Sequence, residues 1–261
     1  SVVLIGTVYP IFLDVISSQK ISVGPPFYHK LIAPFLIPFL FAMAIGPSLK
    51  WIRSDLKDKI YLISLLIISI LISFFIVKNF NKNVLINTIL ISSALYLFYI
   101  TLRDFFNKKY KNFAQNTAHF GFSLLILSIL FNNLFSSEII TNLRVGETYD
   151  NSKTKIVFES INQKNEKNYK SIVANFNIIN SKGINNNLSP ELRIYNQPNI
   201  TTSEADIKTT LMKDKFIVIN LVQNQDYFNV RYQVKPFMLW IWLSVILISF
   251  GGLMSFFKKR I

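Results

Sequence analysis

Four long apolar stretches dominate the chain: Ile60–Val77, Val84–Leu102, Thr117–Phe135 and Pro236–Phe257. A helix needs about 20 residues to cross a hydrocarbon core ~30 Å thick, with roughly 17–25 tolerated. All four stretches meet that length. Lipid offers the backbone no hydrogen bonds, so helix is the conformation open to them. Two more apolar segments, Val2–Ile16 and Pro34–Leu49, are shorter, and Pro10, Pro34, Pro38 and Pro47 are expected to kink or end them. The first begins at Ser1 with neither Met nor a basic flank, so it does not read as a signal peptide. The chain is expected to start inside an element or to be cut from something longer. The fold class that follows is a polytopic α-helical membrane protein of about six spans.

Charge then supplies an orientation. The chain carries 28 Lys and Arg against 14 Asp and Glu, a net +14, although only 16% of its residues are charged and its mean hydropathy is +0.37. Residues 50–59, 103–113 and 258–261 collect eleven Lys and Arg, whereas the opposite short loops hold four, Lys20, Lys30, Lys78 and Lys82. Alternating six spans puts the eleven on one side, which the positive-inside rule makes the inner one. The basic residues are interleaved with membrane spans, so the charge is a topology signal and implies no nucleic-acid partner.

Between Phe135 and Pro236 the composition changes. Val, Ile, Phe and Tyr alternate with polar residues in Lys155–Ser160, Ser171–Ile179, Leu192–Tyr195, Lys215–Leu221 and Tyr227–Val234, with Asn, Gly, Lys and Pro between them. That pattern predicts short antiparallel strands. About a hundred residues suffice for one small domain with its own core. The expected organisation is a five-span bundle over 1–135, a β-rich domain over 136–234 on the outer face, and a final helix with a basic tail over 235–261. Gly46, Gly121 and the Gly251–Gly252 pair lie in or beside spans, where small residues permit close helix approach.

Few residues can carry chemistry. The chain has no Cys, which excludes disulfides, thiolate metal sites, iron–sulfur clusters and thioether attachment of haem to this chain. It has two His. His119, in Asn116-Thr117-Ala118-His119-Phe120-Gly121, lies just inside the fifth span, and an ionisable residue in a membrane helix usually faces a protein interior or a cavity. Two readings stand: a haem-iron ligand, or an interfacial imidazole bonded to water or a carbonyl. His29 ends the run Ile21-Ser22-Val23-Gly24-Pro25-Pro26-Phe27-Tyr28-His29, which reads as a stiff outer turn with interfacial aromatics. The proposed topology puts His29 and His119 on opposite sides, so they cannot share one iron. Trp240 and Trp242, with Phe237, read as the aromatic belt of the last span, and Asp14 as a solvated interfacial residue. The β-rich region has no His and only scattered carboxylates, so a separate hydrolase site is not expected there.

Motifs spread along the chain resemble the CcmF family, the haem lyase component of cytochrome c maturation. The resemblance begins at Gly6-Thr7-Val8-Tyr9-Pro10 and Ile21–Phe27 and continues at Ala118-His119-Phe120-Gly121. It includes Leu143-Arg144-Val145-Gly146-Glu147, Pro190–Tyr195 and Thr201–Ile207, and closes on Lys235–Leu243 and Gly251-Gly252. The similarity implies that His119 is one axial ligand of a transmembrane b-type haem, and that the protein serves attachment of haem to the CxxCH thiols of apocytochrome c. The family's tryptophan-rich segment, its outer-face His ligands and its other transmembrane haem His belong to an earlier part and have no counterpart here. The resemblance is therefore to the C-terminal portion, as a fragment or a separately encoded subunit, not active alone. Implied partners are the N-terminal portion, other cytochrome c maturation proteins, apocytochrome c and membrane lipid; the implied location is a bacterial or mitochondrial inner membrane. A transporter half or a haem-free assembly factor are the other function classes compatible with the spans. Topology is testable directly: a reporter fused after Lys111 should read inside and one near Gly183 outside, and the reverse pattern would overturn the orientation.

Overall fold

The computed structural model describes residues 2–17, 25–48, 56–80, 83–106, 113–181, 183–222 and 225–257. They divide into two compact units, residues 1–127 with 244–261, and residues 128–243.

The first unit is helical. Its elements are α1 (Val2–Ser17), α2 (Pro25–Ile45) with a closing 3-10 turn at Gly46–Ser48, α3 (Leu56–Val77), α4 (Val84–Phe106), most of α5 (Phe113–Phe135) and most of α6 (Met238–Phe257). Four stretches are long and apolar enough to cross a membrane: Lys59–Val77, Val84–Phe106, Phe113–Phe135 and Met238–Phe257. The apolar parts of α1 and α2, Leu4–Ile16 and Leu31–Ile45, are shorter. Several hydroxyls inside these helices donate to a carbonyl one turn back, as suits a lipid environment, whereas Thr88 Oγ1 in α4 is buried without a partner among the described residues. Ser69 donates to Leu65 O at 2.8 Å, Ser73 to Ser69 O at 2.7 Å and Ser93 to Leu90 O at 2.8 Å.

The run from Pro25 to His29, expected as a turn, is the first part of α2. Proline is favoured in the first helical turn, because its missing N–H is one that the helix would leave unpaired anyway. Pro10, Pro34 and Pro38 lie within helices rather than ending them, and α2 stops only at Gly46-Pro47. Residues 21–24 and Trp51 lie outside the described residues, as do most of the inner-loop cations.

Close approach of α5 and α6 rests on small residues. A Cβ on Gly251 would stand 2.6 Å from Ala118 N and 2.8 Å from Ala114 O, and one on Gly121 would stand 2.9 Å from Ile248 N. These are backbone atoms, which cannot yield without moving a helix. Ala114, Ala118 and Gly121 recur at spacings of four and three and so share one face. Gly46 and Gly252, expected to act in the same way, have nothing within 4 Å of a built Cβ.

The second unit is a β-sandwich between the end of α5 and the start of α6. One sheet has the order β1 (Ser137–Leu143), β10 (Phe228–Pro236), β9 (Lys213–Leu221), β8 (Asp206–Thr209). The other has the order β2 (Thr148–Asp150), β3 (Thr154–Asn165), β4 (Tyr169–Asn180), β6 (Glu191–Asn196), β7 (Asn199–Glu204), with β5 (Asn185–Leu188) also paired to β4. Alternate residues turn inward and form one core. Ile217, Ile219, Val230 and Tyr232 from the first sheet meet Ile156, Phe158, Phe176 and Ile178 from the second. Phe158 stacks on Phe176 with ring centroids 4.4 Å apart. A bulge between Phe158 and Ser160 adds one residue to β3, which restores Ile161 to the core side.

Asn132 Nδ2 donates to Pro236 O at 2.6 Å, and Phe131 meets Phe237 with centroids 5.6 Å apart. The last turn of α5 is thereby tied to the strand-to-helix corner at Phe237, whose φ is 61°. Pro236, expected to open the last span, is the final residue of β10.

Gly251→Ala should lower the stability of the solubilised chain by about 1–3 kcal/mol, as overpacking does, while Gly252→Ala should stay within about 0.5 kcal/mol of the parent. Thermal unfolding in detergent measures both, and equal effects would contradict the assigned contact.

Candidate functional site

The surroundings of His119 follow from how α5 packs. Toward α4, Asn116 Nδ2 donates to Asp104 O at 2.9 Å, Phe120 lies 5.6 Å from both Phe98 and Phe105, and the Ser123 and Thr101 hydroxyls meet at 2.8 Å. Toward α6, Ala114, Ala118 and Gly121 make the close crossing. Helical spacing places His119 on neither face. It shares a third flank with Gln115, Phe122 and Ile126. Phe122 meets Phe39 of α2 edge-on at 6.0 Å.

The nearby polar groups are already engaged. Arg103 donates from Nε and Nη2 to Asp104 Oδ1 at 2.9 and 2.7 Å and lies over the Tyr61 ring at 5.4 Å. Thr117 Oγ1 donates to Phe113 O at 2.8 Å. His119 itself is half-buried, and its imidazole makes no hydrogen bond among the described residues. A nitrogen ligand is thus left uncommitted inside a membrane-capable helix.

That arrangement suits one kind of metal centre better than another. Among the described residues no group of three or more His, Cys, Asp or Glu could hold a bare ion. Haem iron already has four ring nitrogens and asks the protein for only one or two axial ligands. A single free imidazole flanked by Phe122 therefore fits one side of a haem.

Other sequence candidates lie elsewhere. His29 is in α2, with its side chain outside the described residues. Asp14 is exposed on α1. Trp242 is exposed, whereas Trp240 does more than anchor, because its indole N–H donates to Leu211 O at 2.9 Å. On the sandwich, Leu143–Glu147 forms the β1–β2 turn. There Arg144 N donates to Glu147 Oε2 at 2.9 Å, and Gly146 takes a φ of 88° that suits glycine. Glu138 is held below the usual carboxylate range by hydrogen bonds from Arg231 and Gln233. Arg193 pairs with Glu191 at 3.2 Å and covers the Tyr169 ring at 5.1 Å. These are largely solvated pairs that neutralise one another locally and do not converge on a reacting centre.

Fold and site together define an integral membrane protein that carries a β-sandwich between its last two helices and one uncommitted imidazole in the helix before it. A family model described as the CcmF C-terminal beta-sandwich matches residues 134–236. The cytochrome c-type biogenesis protein CcmF of Pseudomonas fluorescens is 26% identical over 100% of this chain and 42% of its own length. CcmF of Escherichia coli (strain K12) is 24% identical over 99% of this chain and 41% of its own length. The biogenesis protein NrfE of Haemophilus influenzae is 25% identical over 98% of this chain and 41% of its own length. A solved structure titled cytochrome c heme lyase CcmF superposes with a TM-score of 0.73 at 19% identity, covering 98% of this chain and 43% of that one. Residues 134–236 thus match the family's C-terminal sandwich, and along its whole length the chain is similar to the C-terminal portion of CcmF proteins. It spans about two-fifths of the length of these relatives.

Proposed function

We propose that the chain is the C-terminal part or subunit of a haem lyase that attaches haem to the CxxCH thiols of apocytochrome c, and that His119 supplies one axial ligand to a transmembrane b-type haem. The observation that carries the ligand assignment is the uncommitted imidazole on a half-buried flank of α5. The names of the CcmF and NrfE relatives support a role in cytochrome c biogenesis. A haem held here would supply one-electron chemistry. The protein's own part is to fix the imidazole: the α4 and α6 faces of α5 are locked by aromatic packing and by the glycine crossing, which restricts the direction in which His119 can present its nitrogen.

The second axial His, the substrate-handling residues and the thioether chemistry are assigned to the N-terminal portion or partner chain. The β-sandwich, lacking His, is assigned to docking of maturation proteins or apocytochrome c. The cationic loops favour the inner side for residues 50–59, 103–113 and 258–261, and this supports assigning the sandwich to the periplasmic or intermembrane-space face of an inner membrane.

His119→Ala in the assembly purified with its N-terminal portion should abolish the b-type haem absorbance while the protein still inserts and the sandwich stays folded. Unchanged haem content and redox spectrum would refute the ligand assignment.

A further inference from the structure

The β8–β9 hairpin combines features that haem binding does not use. Its turn carries Leu211 and Met212, 69% and 61% exposed. The Leu211 carbonyl accepts the Trp240 indole N–H at 2.9 Å, and the Met212 carbonyl accepts the Phe237 N–H at 2.9 Å. Both donors belong to the corner and first turn where the chain enters α6, a helix long and apolar enough to cross a membrane. The turn is therefore held beside the entry level of that helix. In water, two adjacent bare apolar side chains would be a liability; at the boundary between headgroups and acyl chains they gain free energy by burial.

Behind the tip stands a row of lysines. Strand pairing sets Lys213 opposite Pro236, Lys215 opposite Val234, and Lys208 opposite Lys215. The two-residue period puts all three on the sheet face that continues through Ile217 and Ile219 into the core. Like charges directly opposite one another weaken a strand pair. Among the described residues no carboxylate forms an ion pair with any of the three. The acids in these strands are placed otherwise: Asp206 accepts from Ser189 N–H at 2.6 Å, and Asp214 lies on the opposite face across from Lys235. Lys215 is buried, and that burial, with Lys213 and Lys208 beside it, pushes its ammonium below the usual lysine range. The fold thus keeps an uncompensated cationic row a strand residue or two from the point of membrane entry. Phosphate oxyanions would relieve it.

We propose that this hairpin is a bilayer-interface anchor, with Leu211 and Met212 entering the boundary of the acyl region and the exposed Lys208 and Lys213 binding the phosphate of an anionic phospholipid in front of the buried Lys215. The site is independent of the haem reading and uses no residue assigned to it.

The absence of native Cys makes the test clean. Leu211→Cys and, as a control at the far end of β9, Leu221→Cys are labelled singly with an environment-sensitive fluorophore. The full chain is then reconstituted in phosphatidylcholine vesicles containing brominated lipid. The label at 211 should be blue-shifted and strongly quenched while that at 221 stays aqueous; equal behaviour of the two would overturn the anchor. Enrichment of spin-labelled phosphatidylglycerol over phosphatidylcholine around the chain reads the lysine row. Lys208→Gln with Lys213→Gln, both exposed and so tolerated by the fold, should weaken that preference by roughly fivefold for each lysine. An undiminished preference would overturn the phosphate assignment. Displacement of the lipid by inorganic phosphate at constant ionic strength would overturn the lipid as ligand in favour of a soluble anion.

Discussion

The pairing of β1 with β10 is the constraint on which the β domain depends. Ser137 lies opposite Val234 and Leu143 opposite Phe228, so the strand that leaves α5 runs alongside the strand that leads into α6. Every other strand of the sandwich lies between these two in sequence. The pairing therefore closes the domain on itself and brings the end of one membrane helix beside the beginning of another. The Asn132 bond to Pro236 O and the Phe131–Phe237 contact are consequences of that closure. The Trp240 and Phe237 bonds to the β8–β9 turn instead continue the β9–β10 ladder past the Lys213–Pro236 pair.

In the helical unit the corresponding constraint is the absence of side chains at Gly121 and Gly251. Lipid rewards close van der Waals packing rather than hydrophobic burial, so backbone approach is what helix association gains from. With α6 against one face of α5 and α4 against another, the flank bearing His119 meets α2 through the Phe122–Phe39 contact, and the imidazole itself makes no hydrogen bond among the described residues. On the proposed reading, a fixed helix with one uncommitted imidazole would supply one half of a haem site.

Much of this was legible in the sequence, for physical reasons. A bilayer imposes a length, so Ile60–Val77, Val84–Leu102 and Thr117–Phe135 could be placed within a few residues of α3, α4 and α5. A half-buried sheet imposes alternation, so the inner parts of β3, β4, β6, β9 and β10 were visible. The strands that escaped lack that alternation. β7 and β8 are Thr- and Ser-rich or charged and mostly exposed, and β1 follows α5 with no turn signal between them. Pro25-Pro26 was misleading because the same rigid φ suits a turn and a first helical turn. Among the glycines, spacing could not separate Gly251 from Gly252, because which of two neighbours faces α5 depends on helix rotation. His119 stood out as the imidazole in a span, but its freedom from hydrogen bonds is a property of the packed helices. The lysine row was invisible in sequence, since Lys208 meets Lys215 only through strand register.

The central claim is that this chain provides one half of a haem site and a partner provides the other. The most direct test is the haem spectrum and low-spin ferric EPR signal of the chain purified alone and after co-expression with the N-terminal portion. The account predicts no bis-imidazole haem in the isolated chain and a low-spin b-type haem in the co-expressed assembly. A bis-imidazole haem bound by the isolated chain would contradict it.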